Sequence, residues 1–437
     1  MGFLLSFLIG FGILRILTGK NTFRAVDLFF SWGLGVGLAS QITFYSILIG
    51  GRYKQELLFC ITFIIIFAIW FFLLKKKQVF RVEPSGLPVI AFLAVLLPLV
   101  IAQKFIYSSL PYGDWDGWSL WNYRANSLFR SVDDWLPVYH NAIQGMHPWL
   151  LPQYIVWGWS FTGKETTWVP ALTAFFMSCA TVGLLVYALV SSIGRLPAIL
   201  AGAYLISIPY FNWHAASQYA SIFVAFYFLG SVIALREYLR EPSFKYAMAA
   251  GSFMAFLANS KDEGILLTVL MLVLLKGFFK KQNAGHGKIF ITVFAALMVM
   301  FVLTEVFMRC SMGMPSLESK YYLLDPRLVL DPGQWKVLIV FMWRLFFLSS
   351  TTGGIIFFLL LLALSQADRC RRAGRTNGFH DSILRVIGIF FLIFSVLYIV
   401  VTTDLDWRLN VTANRMFFIF APTLVYLVFG ALYKYEE

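Results

Sequence analysis

Two carboxylates, three indole rings and one arginine lie within thirteen residues, 113–125, of an otherwise apolar chain. This stretch reads Gly-Asp-Trp-Asp-Gly-Trp-Ser-Leu-Trp-Asn-Tyr-Arg-Ala, and its carboxylates are Asp114 and Asp116. A carboxylate can accept the proton of a hydroxyl group while the oxygen attacks an electrophilic carbon. Carboxylates also bind divalent cations such as Mg²⁺ or Mn²⁺. Asp114 and Asp116 are therefore the candidate catalytic residues and a candidate metal site.

The element that must position these carboxylates is a predicted helix with one apolar stripe. At helical spacing this stripe contains Trp118, Trp121, Ala125, Leu128 and Phe129, whereas Tyr123, Arg124, Asn126, Ser127 and Arg130 fall largely on other faces. The pattern is typical of a helix in the membrane interface, where indole rings prefer to lie. A purely structural interpretation makes one Asp the N-cap, because backbone N–H groups and the helix dipole favour negative charge there.

The composition indicates a membrane protein that crosses the bilayer several times. Of 437 residues, 59% are hydrophobic and 13% are charged, against roughly 25% charged residues in soluble domains. The net charge of +13 comes largely from short loops between apolar runs, as the positive-inside bias predicts, which argues against nucleic-acid binding. The four cysteines are scattered and lack metal-ligand spacing.

The apolar runs predict about thirteen spans, with the N-terminus outside and the C-terminus in the cytoplasm. Residues 349–354 are expected to break or bend one long span, and residues 403–414 are expected to form a short outer loop. We divide the chain into N-terminal transmembrane helices (1–103), a long outer loop with interfacial helices (104–167) and the remaining transmembrane core with polar outer turns (168–437). Within the loop, 149–161 is too short and too rich in proline to cross, so we expect an interfacial or re-entrant helix. The second acidic pair, Asp133 and Asp134, is expected to cap another short helix in solvent.

This topology gathers the ionisable side chains at the outer face and leaves few near the bilayer midplane. The outer set is Asp114, Asp116, Arg124, His147, His214, Gln218, Lys261, Asp262, Glu263, Asp404, Asp406, Arg408, Asn410 and Arg415. A transporter needs charges and broken helices at the midplane, whereas an enzyme acting on a lipid headgroup needs them at one interface. Cations there can bind phosphate, and Arg408, Arg415 and Lys261 are the candidates. Arg344, within a predicted span, is expected to pair with Glu305 or with substrate phosphate.

Such a set suits transfer of a sugar from a lipid phosphate. One carboxylate accepts the proton of the acceptor hydroxyl, and the leaving phosphate is already a stable anion. Glycoside hydrolases, in contrast, need two opposed carboxyl groups. The ring faces of Trp118 and Trp121 can stack on sugar or prenyl groups.

Four segments, in the same order, resemble motifs of bacterial GT-C-type membrane glycosyltransferases. Residues 114–125 resemble the pattern D-[A/G]-W-x-x-W-N-x-[K/R]-A, and residues 147–152 resemble H-P-D-Y-P-L-L-L-P. Residues 261–264 resemble K-[N/D]-E-G, and residues 407–415 resemble W-x-L-x-T-x-x-x-R. The resemblance covers most of residues 110–425 and implies a GT-C fold with a polyprenyl-phosphate-linked sugar donor.

The resemblance leaves two alignments open for the general base. Asp114 matches the first Asp of the family if Trp115 and Asp116 are a local variation. Asp116 matches it if 116–118 is read directly as D-[A/G]-W, and the spacing to the following Trp-Asn favours this second alignment. Two departures are the missing Asp-Tyr after His-Pro and Gln-Tyr-Ala-Ser at 218–221, where the family often has Gly-Tyr-Ala-Asp; the second puts substrate choice in doubt.

Substrate binding is accordingly expected at Arg124, His147, Lys261, Glu263, Arg344, Arg408, Arg415, Trp118 and Trp121. Structural interpretations stand beside these roles. Residues 261–263 can cap a tight turn, Arg408 and Arg415 can anchor the interface, and His147 can be a hydrogen-bonded loop histidine. For His214, both a structural role and a role in substrate binding are left open.

We therefore predict an all-α, GT-C-like glycosyltransferase in the plasma (inner) membrane, with its active site on the extracytoplasmic or periplasmic face. It would move one hexose or pentose from a polyprenyl-phosphate donor to a glycan, lipid or protein acceptor, as in synthesis of a cell-envelope polysaccharide. A divalent cation is an optional cofactor, and the bilayer is the expected partner surface. The alternatives are a lipid-linked oligosaccharide polymerase or ligase, and a flippase or transporter without enzymatic activity.

Overall fold

The computed structural model describes residues 1–18, 23–51, 54–75, 89–131, 147–281, 287–299, 325–348, 352–372, 378–402 and 404–432. Helices account for most of these residues and no β-strand forms among them, which confirms the predicted all-α class. Asp133, Asp134 and Glu305, for which we predicted roles, lie outside the described residues, as do residues 349–351 of a predicted helix break.

The described α-helices are numbered here in chain order. They are α1 Gly2–Thr18, α2 Ala25–Gly50, α3 Lys54–Lys75, α4 Val89–Ser109, α5 Tyr123–Arg130, α6 Leu150–Thr162, α7 Trp168–Ile193, α8 Arg195–Ser207, α9 Pro209–Ser217, α10 Ser221–Arg240, α11 Phe244–Ala258, α12 Asp262–Lys281, α13 Gly287–Val299, α14 Pro332–Trp343, α15 Thr352–Arg372, α16 Gly378–Val400, α17 Leu405–Phe418 and α18 Ala421–Leu432. Two π-helices, Gly117–Asn122 and Arg344–Leu348, and a 3-10 helix, Pro326–Leu330, complete the order.

The described helices have the length and composition of a multi-pass membrane protein. Six of them, α2, α3, α4, α7, α10 and α16, are long and apolar enough to cross a bilayer. The count rises to eight if each of two bent pairs is one span, namely α8 with α9, bent by 69°, and α17 with α18, bent by 40°. The figure of thirteen spans stays a prediction.

Glycines allow α1 and α2 to cross at backbone contact. A Cβ atom on Gly10 would lie 1.9 Å from the carbonyl oxygen of Ser31, and one on Gly35 would lie 2.0 Å from that of Ser6. Such close approach is typical of helix pairs in membranes, where packing has to replace the hydrophobic effect. These two positions therefore exclude any residue with a side chain unless the helices separate.

Burial separates a protein core from a lipid-facing rim. In the apolar window of α10, 89% of residues are buried inside the protein, whereas the corresponding shares for α3 and α4 are 17% and 22%. Because most exposed side chains of α3 and α4 are apolar, their outer faces suit lipid tails rather than water. Helix α10 thus forms part of the core, and α3 and α4 form part of the rim.

A buried charge network joins α2, α10 and α11. Asp27 accepts hydrogen bonds from Lys245 Nζ at 2.9 and 3.0 Å, and both side chains are buried. Arg24 Nη2 lies 2.9 Å from Glu237 Oε2. Breaking such a pair by removing one partner leaves an uncompensated buried charge, at a cost of about 3–5 kcal/mol. The network therefore stabilises the mutual position of these three helices.

The predicted helix after Asp114 exists, but its register differs from the prediction. Trp121, Ala125 and Leu128 are buried as expected, whereas Trp118 is 48% exposed and Arg124 is fully buried. The reason is that residues 117–122 form a π-helix, which has more residues per turn than the α-helix used to predict the stripe. The C-terminal end of the following helix, α5, is capped by Lys54 Nζ, which donates to the carbonyl oxygens of Leu128, at 2.8 Å, and of Ser131.

One prediction stays open and another requires correction. The segment predicted as an interfacial or re-entrant helix is helix α6, whose side chains from Leu150 to Ser160 are all buried inside the protein, and its depth in the bilayer stays a prediction. It packs against α2 and α5. The predicted outer loop at 403–414 is instead largely helix α17, whose N-cap Asp404 accepts a hydrogen bond from the backbone N–H of Trp407 at 3.0 Å.

Candidate functional site

Residues 111–122, here called the acidic segment, are fixed against the turn between α9 and α10. The backbone N–H of Asp114 donates to the carbonyl oxygen of Ser217 at 3.2 Å. A Cβ atom on Gly113, whose φ is +84°, would lie 2.8 Å from this same oxygen, and one on Gly117 would lie 2.5 Å from it. Glycine at both positions lets the backbone approach the turn closely enough to hold Asp114 and Asp116 there.

Gln218 provides the other side of this contact. It has a left-handed conformation, with φ at +63°, at the C-terminus of α9. Its Nε2 donates to the carbonyl oxygen of Pro111 at 3.2 Å, and its Oε1 accepts from Asn122 Nδ2 at 2.6 Å. This amide therefore connects both ends of the acidic segment to the turn. Gln218 was predicted to lie near the site, but this structural role was not predicted.

Asp114 is hydrogen-bonded by a tyrosine that sequence reasoning did not select. Tyr219 Oη donates to Asp114 Oδ2 at 2.7 Å, although 105 positions separate the two residues. Burial, followed by the hydrogen bond to Asp114, raises the pKa of the Tyr219 phenol. The phenol therefore stays protonated and remains a donor at physiological pH. The only sequence signal was the departure from the family pattern at 218–221, which includes Tyr219.

Asp116 forms an ion pair with Arg415 of α17 through Arg415 Nη1. The side chain of Arg415 is 10% exposed and that of Asp116 is 29% exposed. The guanidinium also lies over the ring of Tyr219, with its central carbon 5.3 Å from the ring centroid. Tyr219 thus contacts both pairs, and the structure brings together two predicted site segments, 114–125 and 407–415. Asp116 is not a side-chain N-cap, since no hydrogen bond of that kind forms.

A second polar group joins the other two predicted segments. His147 Nδ1 lies 2.5 Å from Asp262 Oδ2, and the backbone N–H of Leu150 donates to the carbonyl oxygen of Asn259 at 3.3 Å. Partial burial opposes the charged form of Asp262, whose side chain is still 48% exposed, but the charge and hydrogen bond of His147, with the charge of Lys261, outweigh it and lower the pKa of this carboxyl. The pair stabilises the contact between the His-Pro segment and the turn before α12.

Arg124 is buried against the His-Pro segment, residues 147–152, and contacts two of its residues. Its guanidinium carbon lies 3.6 Å from the ring centroid of Trp149, and Nη2 donates to the carbonyl oxygen of His147 at 2.6 Å. The ring of Trp121 stacks on that of His147 with centroids 5.6 Å apart. Arg124 and Trp121 are therefore buried supports for His147, and their expected contact with substrate is not supported by this geometry.

Lys261 and Glu263 form an ion pair within one turn. Lys261 Nζ lies 2.7 Å from Glu263 Oε1, and both side chains are largely buried. Glu263 Oε2 is buried as well and has no hydrogen-bond partner among the described residues. The predicted turn-capping interpretation therefore explains one oxygen of this carboxylate and leaves the other one unexplained.

Arg408 and Arg344, two further predicted phosphate ligands, have surroundings of their own. Arg408 is buried and donates to the carbonyl oxygens of Val401, at 2.7 Å, and Asp404, at 3.4 Å. Arg344 begins the second π-helix and is exposed, and no described side chain forms an ion pair with it. Arg408 thus stabilises the start of α17, and neither arginine contacts the two aspartates.

A divalent cation requires several carboxylate, imidazole or thiolate ligands close together. Among the described residues, no group of three or more His, Cys, Asp or Glu side chains is placed to hold a metal ion. Asp114 and Asp116 are engaged by Tyr219 and Arg415, and the predicted cation site at these two residues stays a prediction. Comparisons with protein-family models, with curated proteins and with solved structures find no match to this chain.

Proposed function

We propose that this protein is a membrane glycosyltransferase that moves one sugar from a polyprenyl phosphate to an acceptor hydroxyl. The observation that carries the proposal is the pair of contacts Tyr219–Asp114 and Asp116–Arg415, which share Tyr219 as a common neighbour. They combine a partly exposed carboxylate with a guanidinium around one tyrosine ring. This is the minimal set that a phosphate-leaving sugar transfer requires.

Asp114 is the proposed general base. Tyr219 donates to its Oδ2 and leaves Oδ1 for the acceptor hydroxyl. The acceptor oxygen forms a bond to the anomeric carbon of the donor sugar while its proton moves to Asp114. The bond between that carbon and the phosphate oxygen breaks, and the polyprenyl phosphate leaves with the bonding electrons. Proton uptake at Oδ1 does not disturb the hydrogen bond at Oδ2.

Asp116 has a different proposed role, although one alignment assigns it the role of base. A proton on Asp116 would remove the negative half of its ion pair with Arg415. Its carboxylate instead orients the guanidinium, whose Nη2 has no acceptor among the described residues and is proposed to bind the donor phosphate. Lys261 and Arg408, also predicted for this role, are engaged by Glu263 and by backbone carbonyls.

A transfer assay tests the proposal. Purified protein in lipid nanodiscs is given a panel of radiolabelled polyprenyl-phosphate sugars with candidate glycan and lipid acceptors, and label transfer is measured. We expect Asp114→Asn to lower the transfer rate about 10²–10⁴-fold without loss of fold, since the amide keeps the shape and cannot accept the proton. Asp406→Asn, on an exposed carboxylate of α17, is the matched control and should retain activity.

Other results distinguish the alternatives. Activity that needs a pyrophosphate-linked oligosaccharide donor indicates a polymerase or ligase. Movement of labelled lipid between leaflets without any transfer indicates a flippase or transporter. If Asp116→Asn abolishes transfer while Asp114→Asn retains it, the two carboxylates exchange roles.

A further inference from the structure

Three aromatic rings beside the two aspartates are exposed, and none of the contacts above uses them. Trp115, Trp118 and Tyr123, here called the outward rings, are between 48% and 67% exposed. The two indoles meet edge-on, with centroids 5.1 Å apart and planes 77° apart. The indole N–H groups and the phenol O–H donate to no described residue. Large rings grouped at a surface are typical of a surface that contacts a partner or a membrane.

The outward rings are not the set that helical periodicity selected for the membrane. Trp121, Ala125 and Leu128 of the predicted stripe are buried inside the protein. Tyr123 follows Trp118 by five residues, the hydrogen-bond spacing of a π-helix, so it lies roughly one turn further along the same side. The structure therefore gives this segment a second apolar surface, and that surface faces away from the core.

Helix α4 leads to this surface from the lipid-facing rim. Its exposed side chains Leu97, Ile101 and Phe105 follow at intervals of four residues, so they form one stripe along the outer face. Lys104, next to Phe105, is exposed as well. A lysine near the end of an apolar helix extends its ammonium group to the lipid headgroups. The stripe thus changes from aliphatic to aromatic and basic, as side chains do where lipid tails meet headgroups.

A single tight turn connects this stripe to the outward rings. Helix α4 ends at Ser109, and the backbone N–H of Gly113 donates to the carbonyl oxygen of Leu110 at 3.0 Å. At a rise of 1.5 Å per residue, the helix adds only about 6 Å after Phe105. The headgroup layer on each side of a bilayer is about 5–7 Å thick. With Phe105 at the edge of the hydrocarbon, the turn and the rings after it lie at headgroup depth.

The chemistry of the outward rings suits headgroups better than water or lipid tails. Each ring combines an apolar face with one hydrogen-bond donor. Among lipid tails the donors would find no acceptor, which is costly, and in water the apolar faces would stay hydrated. Between these two regions the faces contact the upper chains while the donors reach ester and phosphate oxygens, so indole and phenol rings accumulate there.

We propose that Trp115, Trp118 and Tyr123 lie in the headgroup layer of the bilayer and bind phospholipid headgroups. This surface goes beyond the proposed function and does not depend on sugar transfer. It gives the site a depth, because Asp116 lies between the two indoles in the sequence and pairs with Arg415. A further consequence, which rests on the proposed function, is that the donor phosphate reaches Arg415 without leaving the bilayer.

Fluorine NMR on the intact chain tests this depth. The protein is made with fluorotryptophan at its 14 tryptophans and placed in phosphatidylcholine nanodiscs. Trp115→Phe and Trp118→Phe, which each keep an aromatic ring, identify the two resonances by their loss. Three paramagnetic probes are compared, namely a nitroxide on the lipid headgroup, a nitroxide at the end of the lipid chain and a water-soluble gadolinium chelate.

We expect the headgroup nitroxide to broaden the resonances of Trp115 and Trp118 more than either other probe does. Paramagnetic broadening falls steeply with distance, and the chain end lies about 15 Å below the headgroups. Trp157, which has no exposed surface, is the internal control and is identified by Trp157→Phe. The headgroup nitroxide and the chelate should both broaden it less than they broaden Trp115.

Three results overturn the headgroup surface. Strongest broadening by the chelate places the rings in water, and if soluble glycans then shift both resonances, the surface binds an acceptor sugar instead. Strongest broadening by the chain-end nitroxide places them among lipid tails. Broadening no greater than that of Trp157 shows that protein covers them. Headgroup placement without sugar transfer in the assay above rejects the proposed function alone, and transfer without headgroup placement rejects this surface alone.

Discussion

Tyr219 donates a 2.7 Å hydrogen bond to Asp114 and lies under the guanidinium of Arg415, so one phenol connects both proposed catalytic pairs. Its position directly after Gln218 makes this possible, because the left-handed backbone there turns the chain back towards the acidic segment. The site therefore depends on a turn that contributes no charge of its own.

Tyr219→Phe should lower the rate of sugar transfer about tenfold, with little change in donor affinity. The phenyl ring keeps the stack under Arg415, but Asp114 loses one hydrogen-bond donor, worth about 1.5–3 kcal/mol where the acceptor is charged. Steady-state kinetics in nanodiscs would measure this loss. Tyr112→Phe, at an exposed tyrosine of the same segment, serves as the control, and an equal loss there would contradict the assignment.

Arg415→Met should weaken binding of polyprenyl phosphate by about 1.5–3 kcal/mol, the contribution of one charge-assisted hydrogen bond. Arg408→Met should instead lower the thermal midpoint and leave the lipid affinity of the folded fraction unchanged, because its guanidinium caps backbone carbonyls. Competition binding and thermal unfolding of both variants distinguish these outcomes. The reverse pattern would assign the phosphate to Arg408.

Gly117→Ala should abolish transfer by displacing the acidic segment from the turn at Ser217. The new Cβ atom would lie 2.5 Å from a backbone oxygen, which cannot move aside as a flexible side chain can. Gly388→Ala on α16 is the matched control, since a Cβ atom there meets nothing within 4 Å. That change should be neutral or stabilising by up to about 1 kcal/mol. Full activity of Gly117→Ala would contradict the described contact.

Asp262→Asn should destabilise the protein by less than about 1 kcal/mol at neutral pH, because the ion pair with His147 is half-exposed. The pKa of Asp262 is lowered in the folded state, so its stabilising effect exists above the pKa of the unfolded chain and disappears as pH falls through the folded value. The difference in thermal midpoint between wild type and variant should therefore shrink below about pH 4. A difference that grows on acidification would contradict the pairing.

The amino-acid sequence by itself determined the helical membrane class and the residue types of the candidate site. Long apolar runs are buried in the protein or face lipid whichever helices they pack against. The acidic segment is visible in the sequence as a local concentration of charge. Periodicity failed at 117–122, because a π-helix changes the register, and at 403–414, where a capped helix replaced a predicted loop.

Only the tertiary structure decided which charges meet. Asp116 and Arg415 are 299 positions apart, and Asp114 and Tyr219 are 105 apart, so no local pattern connects them. Packing also decides why Arg408, seven residues before Arg415 on the same helix, has a structural role. On a helix these two positions are about two turns apart, and what each guanidinium meets depends on the elements packed around α17. The local sequence is enough to identify candidate site residues, whereas their hydrogen-bond partners depend on how the helices pack.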